Sequence, residues 1–405
     1  MPKDYQKFIS EHGNSFCALP FTEICNTAQG NGQLCCFSDT VDTNMYNKDI
    51  MNTWKNNKVL NNVREKMLRN EPIKECRRCY QYEKDGAYSL SKRLNQSIEI
   101  EHKFPGTIEK IKEQGNLTLR TLDLKFGNKC NLACVMCDGH SSSLHTKEKE
   151  KYPVPNDLKE LIVSTGEDND FDRNNLKELL DQAPNLLRLK FTGGEPTLLQ
   201  GFKEFIQRLS ETPYAKNIEV IIVTNGTTDV TKWIPTFSKF KLVEINWSTD
   251  GIGSTFEYIR YPGKWKKTTH IQQTFNKEIQ KHNNIRSTLT SAIQLLNIDQ
   301  LPDLLRYGKE NNFTKFSPVL VMWPEALNIG IVPNEIRQQV INECEQYTKM
   351  YPQVKSFINI IKKSSSILTW EDTKKFLTYY DHVRNYSAKD MCSIYNKIEN
   401  TLQGA

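Results

Sequence analysis

The run Gly127-Asn128-Lys129-Cys130-Asn131-Leu132-Ala133-Cys134-Val135-Met136-Cys137 follows a strand-like segment, Leu119 to Phe126, and sets three thiols in one tight loop. A cubane 4Fe–4S cluster held by protein alone takes four cysteine thiolates. The spacing C-x3-C-x2-C supplies three, which leaves one iron open to bind and activate another molecule. A zinc knuckle is the competing reading. Zinc takes a Cys or His as its fourth ligand, and His140 and His145 stand close behind the loop.

Downstream, short apolar runs alternate with helical patterns. Leu119–Phe126, Leu186–Phe191, Ile218–Val223, Leu242–Ser248, Arg286–Ile293 and Lys315–Val321 read as strands. Phe202, Phe205, Ile206 and Leu209 recur at helix spacing, as do Ile271, Phe275 and Ile279. Six such β/α units imply a parallel sheet with helices outside, and a closed eight-stranded barrel would need more strands. Near the strand ends stand Thr192-Gly193-Gly194-Glu195-Pro196, Val223-Thr224-Asn225-Gly226, Trp247-Ser248-Thr249-Asp250-Gly251 and Thr290-Ser291-Ala292. Arg260 follows the third of these closely. Each reads equally well as a plain turn. Their common placement at C-terminal strand ends is what barrel active sites require.

The cysteine loop, followed one β/α unit later by Gly193-Gly194-Glu195-Pro196, resembles the radical S-adenosylmethionine (radical SAM) superfamily over roughly residues 116 to 335. The resemblance implies a partial (β/α)6, TIM-like barrel. It also implies a 4Fe–4S cluster on Cys130, Cys134 and Cys137, with S-adenosyl-L-methionine (SAM) chelated at the open iron. In that family the turn matching Gly193, Gly194, Glu195 and Pro196 binds the methionine end of SAM, and Thr224 and Asn225 match a T-N-G segment at the same rim. Ser248, Asp250 and Arg260 match residues that reach the ribose and carboxylate, and Ser291 is a further ribose or adenine contact. Met136 stands where the family offers its backbone to the adenine. An aromatic residue is commoner at that position, so this chain belongs to a narrower branch.

Eleven cysteines in a chain with no disulfide context point to metal or redox chemistry. Cys17, Gly30 and Cys35, then Cys76-x2-Cys79, resemble the Twitch half of SPASM/Twitch domains, which hold an auxiliary iron–sulfur cluster. In most relatives that domain follows the barrel, whereas here it precedes it. The motif does not separate Cys35 from Cys36, and Cys25 reads as structural. A four-cysteine zinc site is the alternative for the set. Cys344 and Cys392 stand apart and read as core residues.

With 405 residues, 38% of them hydrophobic and 25% charged, the chain is long enough for about two or three domains. Expected are a Twitch-like domain over 1–100, a radical SAM core over 116–335 and a helical C-terminal extension over 336–405. The net charge of +6 is spread along the chain, which argues against a nucleic-acid partner. Nothing in the sequence reads as a membrane span or a secretory leader, so a cytoplasmic location is expected. The function expected is reductive cleavage of SAM to a 5′-deoxyadenosyl radical, with hydrogen abstraction from a peptide or protein that is then oxidised or modified. Flavodoxin or ferredoxin would donate the electron. The alternatives are dehydrogenation or rearrangement of a carbohydrate or nucleotide-like molecule, and, in another class, a non-catalytic iron–sulfur or zinc protein. The last has no use for Gly193, Gly194 and Glu195, nor for Ser248 and Arg260.

Overall fold

The computed structural model describes residues 3–42, 49–86, 88, 91–162 and 175–404. The chain forms two compact units. The first comprises Met1–Gly127, Asn169–Ile221 and Lys239–Lys241; the second comprises Asn128–Asp168, Ile222–Ser238 and Leu242–Ala405.

The first unit carries β1 (Glu23–Asn26), β2 (Gly32–Gln33), β3 (Thr40–Asp42), β4 (Thr121–Lys125), β5 (Arg188–Thr192) and the first half of β6 (Glu219–Thr224), in the order β3-β2-β1-β4-β5-β6. β1 runs parallel to β4, and β4 parallel to β5, while β2 and β3 form antiparallel hairpins. Side chains alternate across a strand, so each strand presents two different faces. Leu122, Leu124, Leu189 and Phe191 are wholly buried. On that side Phe191 packs edge-on to Phe202 at 5.1 Å and beside Phe126 at 5.7 Å. Phe202 comes from the helix Gln200–Ser210, whose Phe205, Ile206 and Leu209 are buried with it. The opposite face is polar. The register pairs Cys25 with Asp123, Asp123 with Lys190, and Lys125 with Thr192.

The second unit carries the order β6-β7-β8-β9, from the Ile222–Thr224 end of β6 through β7 (Leu242–Ser248), β8 (Ile285–Ile293) and β9 (Lys315–Leu320). β7, β8 and β9 are parallel neighbours. Val243, Ile245 and Trp247 are buried on one side of β7, and the Trp247 indole N–H donates to Ser287 Oγ at 2.9 Å. The helix Trp265–Ile279 covers that side, with Phe275 edge-on to Trp247 at 5.4 Å. After β9 the chain is helical, in Asn334–Cys344, Gln353–Lys363, Trp370–Arg384 and Ser393–Gln403. Thr369 and Asp372 cap the third of these reciprocally, a capping box. Cys344 and Cys392 are wholly buried.

The α/β class with parallel strands and a helical C-terminal region is therefore as expected, and all six expected strands are present within two residues at each end. β1, β2 and β3 were not expected. Every residue of β1 is buried, yet Glu23 and Asn26 give it no apolar alternation, so no strand signal stands out. Among the described residues no helix is long and apolar enough to cross a membrane.

Candidate active site

In the second unit the cysteine loop is a lattice of backbone bonds around three sulfurs. Ala133 N–H donates to Tyr261 O at 2.7 Å, Val135 N–H to Ile259 O at 2.8 Å, and Cys137 N–H to Cys134 O at 2.9 Å. Ser142 Oγ donates to Leu132 O at 2.6 Å, and Ser143 Oγ accepts from Cys130 N–H at 3.2 Å. Leu132, Ala133 and Val135 are buried and anchor the loop, while Cys130 and Cys137 remain half-buried and Cys134 is 8% exposed. Met136 is half-buried between the last two cysteines. Asn225 Nδ2 lies 3.8 Å from Cys130 Sγ and donates to Asn131 Oδ1 at 2.9 Å, so the expected T-N-G segment meets the loop directly. Thr224 is buried, and its hydroxyl accepts from Gly226 N–H at 3.3 Å.

Charge around the loop is arranged in layers. Asp250 Oδ1 accepts from Ala292 N–H at 2.7 Å, and its Oδ2 pairs with Arg260 Nη1 at 2.5 Å. Burial alone would lower the Arg260 value, but the Cys134 sulfur and the Asp250 carboxylate outweigh it and hold the guanidinium charged. Burial pushes the Cys134 thiol up, and Arg260 and Arg384 oppose that shift. Cys137 is also pushed well up, by burial and then by Cys134, Asp138 and Cys130. Thiols in such a place gain most from a metal that takes them as thiolates. Ser291 Oγ, Thr290 Oγ1 and Arg260 Nε are buried without a hydrogen-bond partner among the described residues. These are the polar atoms a hydroxyl-bearing, carboxylate-bearing ligand would satisfy. Ser248 is half-buried at the end of β7.

In the first unit, Gly193 sits at φ +107°, and a Cβ there would stand 2.8 Å from Gly127 O. Gly194 N–H donates to that same carbonyl at 3.1 Å, and the turn demands glycine at 193. The Glu195 carboxylate is wholly buried and caps the following turn, accepting from Thr197 N–H at 3.1 Å and Thr197 Oγ1 at 2.7 Å. Pro196 follows it, buried, as the first residue of that 3-10 turn. Those bonds use Glu195 Oε1 to shape the turn.

Residues 124–284 match the family described as the radical SAM superfamily. The chain carries a radical SAM domain. Its cofactors are SAM and a 4Fe–4S cluster, and the three loop thiols fit the cluster. The chain is 25% identical over 199 residues to the GTP 3′,8-cyclase of Helicobacter pylori, covering 49% of this chain and 54% of that protein. It is also 25% identical over 231 residues to an uncharacterised protein of Methanocaldococcus jannaschii, covering 56% and 72%. The chain thus spans about half the length of the cyclase. Among solved structures, Streptococcus suis SuiB bound to its precursor peptide SuiA aligns with a TM-score of 0.41 and 14% identity, over 66% of this chain and 58% of that one. The enzyme anSMEcpe with bound AdoMet aligns with a TM-score of 0.42 and 19% identity, over 57% and 58%.

The radical SAM domain also shows what became of the zinc alternative's histidines. His140 is exposed, and His145 is wholly buried with Nε2 3.4 Å from the Tyr380 hydroxyl. Burial, then Lys149, lowers His145 to about 3. Among the described residues no three Cys, His, Asp or Glu side chains gather tightly enough for a single metal ion. Thiols at separate corners of a cubane stand farther apart than ligands of one ion.

The four expected N-terminal cysteines all lie in the first unit. Burial raises Cys17 to about 12, with the Cys79 sulfur adding to the shift. Cys76 is raised by burial and then by Cys17, Cys35 and Cys79, and Cys35 by burial and in part by Cys17. Gly30, at φ +79°, turns β1 into β2 and brings Cys35 round. Cys25 takes no part in these shifts, whereas Cys36 adds to the shift of Cys35. Cys25 donates to Gln33 Oε1 at 3.8 Å, while Cys36 Sγ accepts from Lys92 Nζ at 3.0 Å.

Sequence reasoning missed Arg384. It reaches from the end of the helix Trp370–Arg384 to donate to Ala133 O at 2.6 Å, inside the cysteine loop, and to the Glu148 carboxylate at 2.8 and 3.0 Å. A partner 251 residues away leaves no local signal.

Proposed function

We propose that this chain is a radical SAM enzyme that takes a hydrogen atom from a peptide or protein and leaves it oxidised or otherwise modified. In this reading Cys130, Cys134 and Cys137 hold the cluster. Gly193, Gly194 and the turn that Glu195 caps receive the methionine end of SAM. Arg260, kept charged beside Asp250, offers its Nε to a carboxylate, and Ser248 and Ser291 offer hydroxyls to the ribose. When bound, the cluster and SAM supply a 5′-deoxyadenosyl radical by one-electron reduction. The chain's own contribution is placement and exclusion of water. Leu132, Ala133 and Val135 seal the loop, and Asn225 orients Cys130.

The observation that carries the oxidative part is the second set of thiols. The Cys17 thiol is raised in part by Cys79, Cys35 in part by Cys17, and Cys76 in part by Cys17, Cys35 and Cys79, whereas Cys25 pairs elsewhere. Residues 1–100 are proposed as a Twitch-like domain holding an auxiliary 4Fe–4S cluster, with the core over 116–335 and the helical extension over 336–405. Such a cluster gives a substrate radical somewhere to send its electron. A flavodoxin or ferredoxin in the cytoplasm is the proposed electron source. A second reading, a nucleotide-like or carbohydrate substrate, draws on the similarity to the GTP 3′,8-cyclase.

The test is Cys134→Ala under anaerobic conditions with SAM and dithionite. The wild-type protein should release 5′-deoxyadenosine and the variant none. Release by the variant would overturn the assignment. Absence of SAM binding to the wild-type protein in anaerobic calorimetry would restore the non-catalytic reading.

A further inference from the structure

Within the first unit, the polar face of the sheet concentrates charge that the SAM reading does not use. Three ammonium groups, on Lys92, Lys125 and Lys190, stand around two carboxylates, on Glu23 and Asp123. Lys190 Nζ donates to Asp123 Oδ2 at 3.0 Å, while Lys125 Nζ stands 3.8 Å from Asp123 Oδ1. Lys92 Nζ lies 3.7 Å from Glu23 Oε1 and 3.9 Å from Asp123 Oδ2. The carboxylate side chains are 1% exposed, and the lysine side chains 16%, 19% and 29% for Lys92, Lys125 and Lys190.

A closed structural network would balance its charges and spend its donors. This one does neither. Each ammonium has three N–H groups. Among the described residues the hydrogen bonds they make are one each, to Cys36 Sγ at 3.0 Å, Asn26 O at 2.6 Å and Asp123 Oδ2 at 3.0 Å. Both Glu23 oxygens and Asp123 Oδ1 are buried with no hydrogen bond among the described residues. The lysines stay partly open where the carboxylates are sealed, so the unspent donors are the accessible ones. A surplus cation in a poorly solvated place is costly unless an anion joins it.

The geometry points to a binding site for an oxyanion, a carboxylate or phosphate group of the substrate, held by the ammonium groups of Lys92, Lys125 and Lys190. Lys125 places this site beside the glycine turn, since a Cβ on Gly193 would stand 3.1 Å from Lys125 Cβ. The inference deepens the proposed function, because the anion belongs to the molecule that the radical SAM domain acts on. A peptide would present an acidic side chain or its C-terminus. A nucleotide-like molecule would present phosphate.

The experiment titrates the full-length, anaerobically reconstituted protein with inorganic phosphate in one arm and glutarate in the other, by calorimetry at fixed ionic strength. Neither SAM nor reductant is present, so the outcome is separable from that of the cleavage assay. At least one anion should bind to the wild-type protein. Lys190→Gln and, separately, Lys125→Gln should each weaken it by roughly tenfold or more, the worth of one charge-assisted hydrogen bond. Arg208→Gln, an exposed helix cation, serves as control and should change nothing. Circular dichroism selects the lysine variants that fold, and Lys190→Arg, which keeps the charge, should retain the affinity that Lys190→Gln loses. Tighter binding of phosphate assigns a phosphorylated substrate, and tighter binding of glutarate an acidic one. Binding of neither anion, or equal binding to folded variants and wild type, overturns the proposal.

Discussion

Replacing Arg384 by Met should destabilise the second unit. The guanidinium is 5% exposed, stacks 4.4 Å from the Tyr380 ring and bonds both Glu148 and Ala133 O. Removing one member of a buried pair typically costs ~3–5 kcal/mol. Here Lys149 Nζ remains 3.0 Å from Glu148, which favours the low end. The Ala133 carbonyl loses a donor as well, worth about 1 kcal/mol. The sum is roughly 4 kcal/mol against a total of ~5–15 for a typical domain. The assay is anaerobic urea unfolding followed by circular dichroism, on Arg384→Met, Glu148→Gln and the double variant. The pair should show a coupling of at least ~1 kcal/mol, because each residue's loss strands the other. A midpoint shift equivalent to under ~0.5 kcal/mol, or additive single effects, would refute the reasoning.

Gly193→Ala should lower SAM affinity at least tenfold in anaerobic calorimetry, since the added methyl meets Gly127 O at 2.8 Å on a backbone with φ +107°. Unchanged affinity would mean that the turn is not part of the SAM site. Cys76→Ala with Cys79→Ala should cut iron from about eight to about four per chain, the content of one cubane. Unchanged iron would count against the auxiliary cluster. His145 carries a pH signature. Its folded value is lowered to about 3, below the ordinary 6.5, so both states are neutral above that value and nothing is lost there. As pH falls below about 6.5 the unfolded chain takes up the proton first, and stability drops by about 1.4 kcal/mol per pH unit until about pH 3. His145→Phe should flatten that part of the profile between pH 6.5 and 5. A slope equal to the wild type's would place the acid sensitivity elsewhere.

How much of this was legible beforehand depends on how local the cause was. The strands β4 to β9 announce themselves because their apolar runs are bounded by turn residues, and Gly193 and Gly226 are glycines for steric reasons visible in any β-to-α turn. The site residues divide by the same rule. Asn225 stands in a recognisable T-N-G segment, yet its contact with Cys130 depends on a loop 95 residues earlier. Cys35 and Cys36 are adjacent, so no spacing argument divides them. The bond from Lys92, 56 residues on, is one difference between them that no spacing announces. β1 was hidden because its Glu23 and Asn26 are buried for electrostatic and hydrogen-bonding reasons, which hydropathy does not register.

The reach of Arg384 also sets an order of events during synthesis. The carbonyl it clasps, on Ala133, leaves the ribosome 251 residues before Arg384 does. At translation speeds of ~5–20 residues per second, that is an interval of roughly 13 to 50 s. For that time the three loop thiols are carried on a nascent chain whose clasp has not yet been made. A chain that stops short of the helix Trp370–Arg384 never acquires it.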